Sequence, residues 1–245
     1  MSKKSMFGKT HPAVIAVWAA VIAASSVLPS IPLIGTGGTF SVATAIVPLT
    51  GIFFGPIAGA ITASIGGFIG GLLAPHTAWL GLATFTIGTI SALIAGLLAE
   101  GKWPMIIAAT AIPVIGTILW FTHPIGQSAP MFPVVFYGLG IVGGLVGGVL
   151  CLKGFLKGSA AQKAVTIWCL SFAAMAGSAS IANYAGLVLF QLPRELWMVL
   201  TFQAPLERAI FSVGSAIVGV PLLVGLPKIG VFVGPDIDED LEDDE

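Results

Sequence analysis

The polar side chains that could bind a small molecule lie in every second connection between long apolar segments. They combine aromatic rings, which suit the walls of a pocket, with imidazole, amide, carboxylate and guanidinium groups that would orient a polar ligand. The candidate substrate-binding residues are His76, Trp79, His123, Gln127, Asn183, Tyr184, Gln203, Glu207 and Arg208. Because alternate connections meet on the same side, these residues predict one pocket that opens on that side.

Arg208 is the strongest single candidate, since it is one of only two arginines in the chain. A guanidinium can hold a carboxylate, phosphate or carbonyl group through two parallel hydrogen bonds, which a lysine cannot reproduce. We expect Arg208 at the start of the last apolar segment. The alternative role of an arginine there is to extend its side chain to the membrane–water interface. Glu207 beside it either orients it through another helix or faces the same boundary.

The other candidates also have structural alternatives. His76 and His123 both neighbour prolines, and a loop histidine is commonly solvated or hydrogen-bonded to backbone. Asn183 and Tyr184 are equally suited to hydrogen bonds between helices. Two histidines do not make a metal site, so no metal ligand set is predicted.

The chain lacks the motifs of familiar enzyme classes. It has no phosphate-binding loop, no His-Glu-x-x-His motif and no Gly-x-Ser-x-Gly motif. The glycine-rich run from Gly35 to Gly38 lacks a lysine, so we expect a loop there. Cys151 and Cys169 lie inside apolar runs, where neither a disulfide nor a thiolate metal site is expected. We predict no enzyme activity, no cofactor, no metal and no nucleic-acid partner.

The composition predicts a protein of the lipid bilayer. Apolar residues make up 56% of the 245 residues, charged residues 9%, and the mean hydropathy is +1.02, whereas a soluble domain has about 25% charged residues. A membrane-crossing helix needs about 20 apolar residues. Segments of about that size lie near 11–29, 40–54, 56–74, 82–100, 103–121, 132–153, 163–190 and 206–228. The predicted fold is an all-α polytopic transmembrane helix bundle of about six to eight spans, in one domain over residues 1–230.

The charged residues predict the orientation of this bundle. All but three of the eleven acidic residues lie in the tail 231–245, which we expect to be disordered and cytoplasmic. With eight spans and both termini cytoplasmic, all eight lysines fall inside, and only the two arginines fall outside. This bias is typical of a multi-pass protein of the cell membrane. Interfacial tryptophans are expected at the outer boundary: Trp79, Trp120 and Trp197.

The stretch LTGIFFGPIAG, Leu49 to Gly59, predicts a corner inside the bundle. Gly55-Pro56 should break a helix, because proline lacks a backbone N–H and glycine adds conformational freedom. Apolar residues nevertheless continue on both sides. We interpret the stretch as a hairpin corner between the second and third spans.

Small residues recur at every fourth position along the first span. Ala16, Ala20 and Ala24 form a stripe that would let another helix approach closely. We predict that this stripe docks a partner helix. Packing within the same chain is the alternative.

Residues 37–73, GGTFSVATAIVPLTGIFFGPIAGAITASIGGFIGGLL, resemble the substrate-binding S components of energy-coupling factor (ECF) transporters, the vitamin-uptake ABC systems. In that family a loop leads into a short second span that ends at Gly-Pro before a glycine-rich third span. The last span, LERAIFSVGSAIVGVPLLVGLPKIG, is similar to the final helix of the family. The alanine stripe is similar to the face with which S components dock on their coupling subunit. S components usually have six spans, whereas eight are counted here, and the acidic tail is not an expected family feature.

The resemblance implies a membrane-embedded substrate-binding subunit for uptake of a vitamin-like or other small polar molecule. It also implies a transmembrane coupling protein and ATPase subunits as partners, which fits the missing phosphate loop. Two other functions stay open on the sequence alone. One is a self-sufficient secondary transporter or channel, and the other is a non-catalytic membrane subunit of a larger enzyme complex.

Overall fold

The computed structural model describes residues 10–28, 31–32 and 39–231, and this part of the chain is predominantly helical. Its α-helices are α1 (Pro12–Val27), α2 (Ala43–Leu73), α3 (Phe85–Ala99), α4 (Trp103–Thr122), α5 (Pro124–Ser128), α6 (Met131–Leu152), α7 (Ala160–Phe190) and α8 (Arg194–Gly225). Two short strands, β1 (Ile31–Pro32) and β2 (Thr39–Phe40), pair antiparallel between α1 and α2. Turns of 3₁₀ helix cover Pro75–Thr77, Gly81–Thr84, Phe155–Lys157 and Leu226–Ile229. The predicted acidic tail lies, after Val231, outside the described residues.

Six helical stretches in the described residues are long and apolar enough to cross a membrane. They are Ala43–Leu73, Gly81–Ala99, Trp103–Thr122, Met131–Leu152, Ala160–Phe190 and Arg194–Ile229. The helix α1 is also apolar but has only 16 residues. The chain is therefore an all-α, multi-pass membrane protein, as its composition predicts.

The predicted corner at Gly55 is confirmed. Gly55 has φ +79° and ψ 175°, which interrupts α2 and divides it into the arms 43–54 and 56–73. The arms fold back on each other, since a Cβ added at Gly59 would lie 2.5 Å from Gly51 Cα. The Thr50 hydroxyl also donates to the Gly59 carbonyl across the two arms (3.2 Å). Counted with α1 and these two arms, the described residues form eight long helical segments, the number of segments predicted from the sequence.

The first arm of α2 is too short to cross a bilayer alone. Its 12 residues rise about 18 Å, against a hydrocarbon core of about 30 Å. Neighbouring helices enclose it, because Gly51 packs against the carbonyl of Ala92 and a Cβ at Gly96 would meet Pro56 Cα at 2.5 Å. These glycine contacts bring α3 tightly against both arms.

The helix α7 forms the centre of the bundle. It contacts α2, α3, α4, α6 and α8. In its most apolar window 78% of the residues are buried, compared with 28–44% in the other five candidate spans. Buried serines and alanines along α7 allow this close packing.

The connections fall at two opposite ends of the bundle. The pocket end holds the connections 74–84, 123–130 and 191–193, and there the Trp79 ring lies 6.2 Å from the Phe190 ring. The lysine end holds the Gly55 corner and the connections 100–102 and 153–159. The lysines in the described connections and adjoining turns lie there: Lys102, Lys153, Lys157, Lys163 and Lys228. Which end faces the cytoplasm stays a prediction that rests on this lysine distribution.

Two expectations about the pocket end were wrong. Trp120 and Trp197 are 0% and 1% exposed, because they pack on each other inside the bundle and not in the lipid interface. The last span begins at Arg194, with Pro205 inside the helix. Arg208 therefore lies 14 residues, or about 21 Å, into α8 and not at its head.

Candidate functional site

A pocket opens at the pocket end between α1, α2, α3, α7, α8 and the connection 74–84. It encloses about 170 Å³. Apolar side chains such as Val47, Phe85 and Met175 form much of its wall. Its polar lining consists of Ser26, Ser41, Thr44, His76, Thr77, Thr84, Ser91, Ser178 and Arg208, and Trp79 adds an aromatic ring with an N–H group. Apolar walls with a few polar groups are typical of small-molecule sites.

Ser41 fixes the joint between α1 and α2 at the wall of the pocket. Its hydroxyl donates to the Ser25 carbonyl at the end of α1 (2.9 Å) and accepts from the Ala43 N–H (3.0 Å). The hydroxyl of Ser26 donates back to the Ile22 carbonyl within α1 (3.1 Å). The bond between Ser41 and Ser25 joins the two helix ends, so this wall is supported by a contact to the backbone.

The connection 74–84 carries His76 and Trp79 over the pocket. It contains two 3₁₀ turns. The N–H of Leu80, which lies between the turns, donates to the Thr84 hydroxyl (2.9 Å). His76 and Trp79 are both exposed. The Trp79 ring rests against α7, where a Cβ added at Gly186 would lie 3.1 Å from it. This wall is more accessible to solvent than the wall at Ser41.

Ser91 places a buried hydroxyl at the wall formed by α3. Its side chain is 4% exposed, and Ser91 Oγ has no hydrogen-bond partner among the described residues. A buried hydroxyl without a partner costs about 1–3 kcal/mol. A ligand that offers a hydrogen bond here would remove that cost, so Ser91 is a candidate contact that the sequence reading missed.

Arg208 extends from α8 to the wall of the pocket. The residue is half-buried and lies deep in a membrane-spanning helix. Charged side chains at such depth are costly and usually face a cavity or a polar partner. Arg208 is thus a candidate to bind an anionic or carbonyl group of a ligand.

The structure brings three of the nine predicted residues together at the pocket: His76, Trp79 and Arg208. With Ser91 they offer a guanidinium, a hydroxyl, an imidazole and an indole to one small volume. Such a set can bind a planar polar molecule by hydrogen bonds and ring contacts. Among the described residues, no group of three metal-binding side chains comes together.

A second set of aromatic residues fills the neighbouring part of the pocket end. This aromatic cluster consists of Trp120, Phe132, Phe136, Tyr137 and Trp197, each at most 1% exposed. The Trp120 and Trp197 ring centroids lie 4.8 Å apart at 86°. Their N–H groups donate to the carbonyls of Gly126 (2.9 Å) and Leu192 (3.1 Å). The cluster is packed and hydrogen-bonded within the chain.

Asn183 and Tyr184 lie beside this cluster and not at the pocket. The Asn183 amide donates to the Tyr137 hydroxyl (3.2 Å), which links α7 to α6. The Thr122 hydroxyl lies 3.4 Å from the Tyr184 hydroxyl and links α4 to α7. Both are the interhelical hydrogen bonds that were the structural alternative for these residues.

The other four predicted residues also lie outside the lining of the pocket. His123 caps α5, where its Nδ1 accepts from the Ile125 N–H (3.3 Å). The Gln127 side chain donates to the Phe121 carbonyl (3.0 Å). Within α8, the Gln203 amide donates to Glu207 Oε1 (2.8 Å). A role in substrate binding stays a prediction for these residues, without support from their positions.

The first helix presents two different alanine faces. Ala19 and Ala23 are buried, and they lie against α2, where a Cβ at Gly66 would lie 2.6 Å from the Ala19 carbonyl oxygen. Ala16, Ala20 and Ala24 are exposed. The internal packing of α1 therefore uses the neighbouring alanines, while docking by the exposed stripe stays a prediction.

The comparisons with known proteins bear on the first half of the chain. A family model described as ECF-type riboflavin transporter, S component, matches residues 9–123, which extend from α1 to the end of α4. No curated protein and no solved structure gives a significant match. The family match supports the resemblance drawn from the sequence: residues 9–123 are similar to the S components of ECF-type transporters.

Proposed function

We propose that the chain is a substrate-binding membrane subunit that captures a small polar molecule in the pocket. The single observation that supports this best is the joint presence of Arg208, Ser91 and Trp79 at one cavity in a strongly apolar bundle. The family-matched segment, which supplies α1, α2 and α3, forms most of the wall. S components are the substrate-binding membrane subunits of ECF transporters, which agrees with such a pocket.

We propose riboflavin, or a molecule of similar chemistry, as the first substrate to test. The description of the matching family names riboflavin. Its flat ring would find aromatic neighbours in Trp79 and Phe85, and its hydroxylated chain would find hydroxyl groups along α1, α2 and α3. Arg208 would donate to the carbonyl oxygens of the ring.

The volume of the pocket is small for a molecule of the size of riboflavin. The 170 Å³ enclosed is below the roughly 300–1,000 Å³ typical of pockets for drug-sized ligands. A ligand with three fused rings therefore requires the pocket to widen. The connection 74–84 is the wall best suited to move, because it consists of short turns with exposed side chains.

Transport would depend on separate coupling and ATPase subunits, since the sequence has no phosphate-binding loop. The exposed stripe Ala16, Ala20 and Ala24 is the proposed docking face for the coupling subunit. A secondary transporter would need a line of ionisable groups through the bundle. His123 and Glu207 are bonded away from the pocket, which gives that alternative little support.

Titration of the purified chain with riboflavin tests the proposal. We expect saturable quenching of flavin fluorescence by the full chain in detergent, and no accumulation of riboflavin by vesicles that contain this chain alone. Absence of binding would remove riboflavin as the substrate. Accumulation by the chain alone, driven by an ion gradient, would instead establish the secondary transporter.

A further inference from the structure

An open apolar groove runs between α7 and α8 near the lysine end. It measures about 630 Å³ and is lined only by apolar residues: Ala160, Ala164, Val165, Trp168, Val213, Ala216, Ile217, Val220 and Pro221. Small side chains on both helices leave this gap. Ile217 is 68% exposed and Val165 is 54% exposed, so the groove faces the surroundings of the bundle and not its core.

The two helices that form the groove are in contact. The Trp168 indole donates to the Ala209 carbonyl of α8 (3.1 Å) and stacks on Phe172, with ring centroids 5.4 Å apart. This arrangement marks the end of the groove nearer the bilayer centre. From Ala160 to Trp168 the groove follows nine residues of α7, a rise of about 12 Å. An acyl chain is thinner than a helix, which packs about 8–10 Å from its neighbours, so it can lie along a groove of this length.

Two lysines lie on, or directly after, the helices of the groove near the lysine end. Lys163 lies in the same turn of α7 as Ala160 and Ala164. Because helical side chains lean toward the helix N-terminus, its ammonium leans toward the boundary of the membrane. Lys228 lies in the 3₁₀ turn that directly follows α8 and is exposed.

The lysine end is locally positive in the described part of the chain. Glu100 is its only described acidic residue, and its carboxylate lies 3.5 Å from Lys102. The charge of Lys163 and Lys228 is therefore available to a negative group at the entrance of the groove. The apolar floor and the two cations together match a molecule with a hydrocarbon chain and an anionic head.

We propose that the groove binds one acyl chain of an anionic phospholipid, with the phosphate held near Lys163 and Lys228. A neutral phospholipid fills the same groove but gains less from the lysines. Each lysine near the membrane surface contributes about a fivefold preference for an anionic lipid. The site is separate from the pocket and does not depend on the identity of the substrate.

Quenching of Trp168 by brominated lipids tests this site in the full chain. Vesicles of one fixed mixture of phosphatidylglycerol and phosphatidylcholine are prepared twice, with bromine on the acyl chains of either lipid. The part of the quenching that Trp168→Phe removes reports the lipid in the groove. We expect stronger quenching by brominated phosphatidylglycerol, and about a fivefold lower preference in Lys163→Gln and in Lys228→Gln. Lys102→Gln is the matched control and should keep the preference.

Two results would overturn the proposal. Equal quenching of Trp168 by both brominated lipids would mean that the groove holds ordinary lipid without selection. Absence of quenching by either lipid would mean that another occupant, such as a partner helix or the acidic tail, covers the groove.

Discussion

The pocket and the aromatic cluster lie at the same end of the bundle and use similar residue types, yet only one of them encloses space. In the cluster, the indole N–H groups of Trp120 and Trp197 bond to backbone carbonyls, and the rings fill the interior. At the pocket, the buried Ser91 hydroxyl has no described partner, and a half-buried arginine lines a cavity. The difference indicates that aromatic and polar composition alone does not mark a binding site. What distinguishes the pocket is that its polar side chains border an open volume.

Removal of a large ring from the cluster should have the greatest effect on stability. Trp120→Ala would leave a cavity at a fully buried position and remove the hydrogen bond to Gly126. We expect a loss of about 3–5 kcal/mol in the free energy of unfolding, measured by denaturant titration in detergent micelles. A variant that kept its stability but lost riboflavin binding would contradict the structural role of the cluster.

A conservative change of the pocket arginine should affect binding and spare the fold. Arg208→Lys keeps the charge but removes the planar pair of donors. We expect riboflavin affinity to fall by about 1–3 kcal/mol, with little change in unfolding. Arg194→Lys, at the start of α8, is the control. Equal affinities for the wild type and Arg208→Lys would exclude Arg208 as a ligand contact.

Loss of a hydrogen bond next to the cluster should reduce stability by a smaller amount. Asn183→Ala removes the bond from the Asn183 amide to the Tyr137 hydroxyl. We expect about 1–3 kcal/mol lower unfolding free energy, because the buried Tyr137 hydroxyl loses this partner, and unchanged riboflavin affinity. Weaker riboflavin binding without loss of stability would indicate that Asn183 contacts the substrate.

Removal of the Ser91 hydroxyl should have the smallest effect on stability and binding. Ser91→Ala removes a group that contributes no hydrogen bond in the described structure, so stability should be unchanged or slightly higher. Riboflavin affinity should fall by about 0.5–1.5 kcal/mol, the usual value of one hydrogen bond. Ser178→Ala is a useful comparison, because its hydroxyl already donates to the Met175 carbonyl (3.1 Å). Unchanged affinity in Ser91→Ala would show that the ligand does not use this hydroxyl.

The sequence predicted the elements well because hydrophobic length and helix-breaking residues act locally. The hairpin at Gly55 followed from a glycine and a proline between apolar runs, and the structure has the predicted turn. The sequence did not predict the start of α8, because a proline such as Pro205 is typical of a helix boundary. Proline is tolerated within membrane helices, where neighbouring groups satisfy the freed backbone.

The site was less predictable because it depends on which helices become neighbours. The polar connections were assigned to one end, but no local pattern separates His76, which lines the pocket, from His123, which caps α5. Ser91 looks like an ordinary small residue in the run TISALIAG. Only the packing of α3 shows that its hydroxyl lacks a described partner.

The pocket is the proposed substrate site, and filling it tests that proposal most directly. Gly71 lines the pocket and Gly138 does not, both lie in helices, and a Cβ at either meets no atom within 4 Å. Riboflavin titration of Gly71→Phe and Gly138→Phe therefore compares the same substitution inside and outside the pocket. We predict that Gly71→Phe loses binding by about 100-fold or more, which corresponds to about 2.7 kcal/mol, while Gly138→Phe binds as the wild type does. Wild-type affinity in a folded Gly71→Phe would contradict binding in the pocket and place the substrate elsewhere.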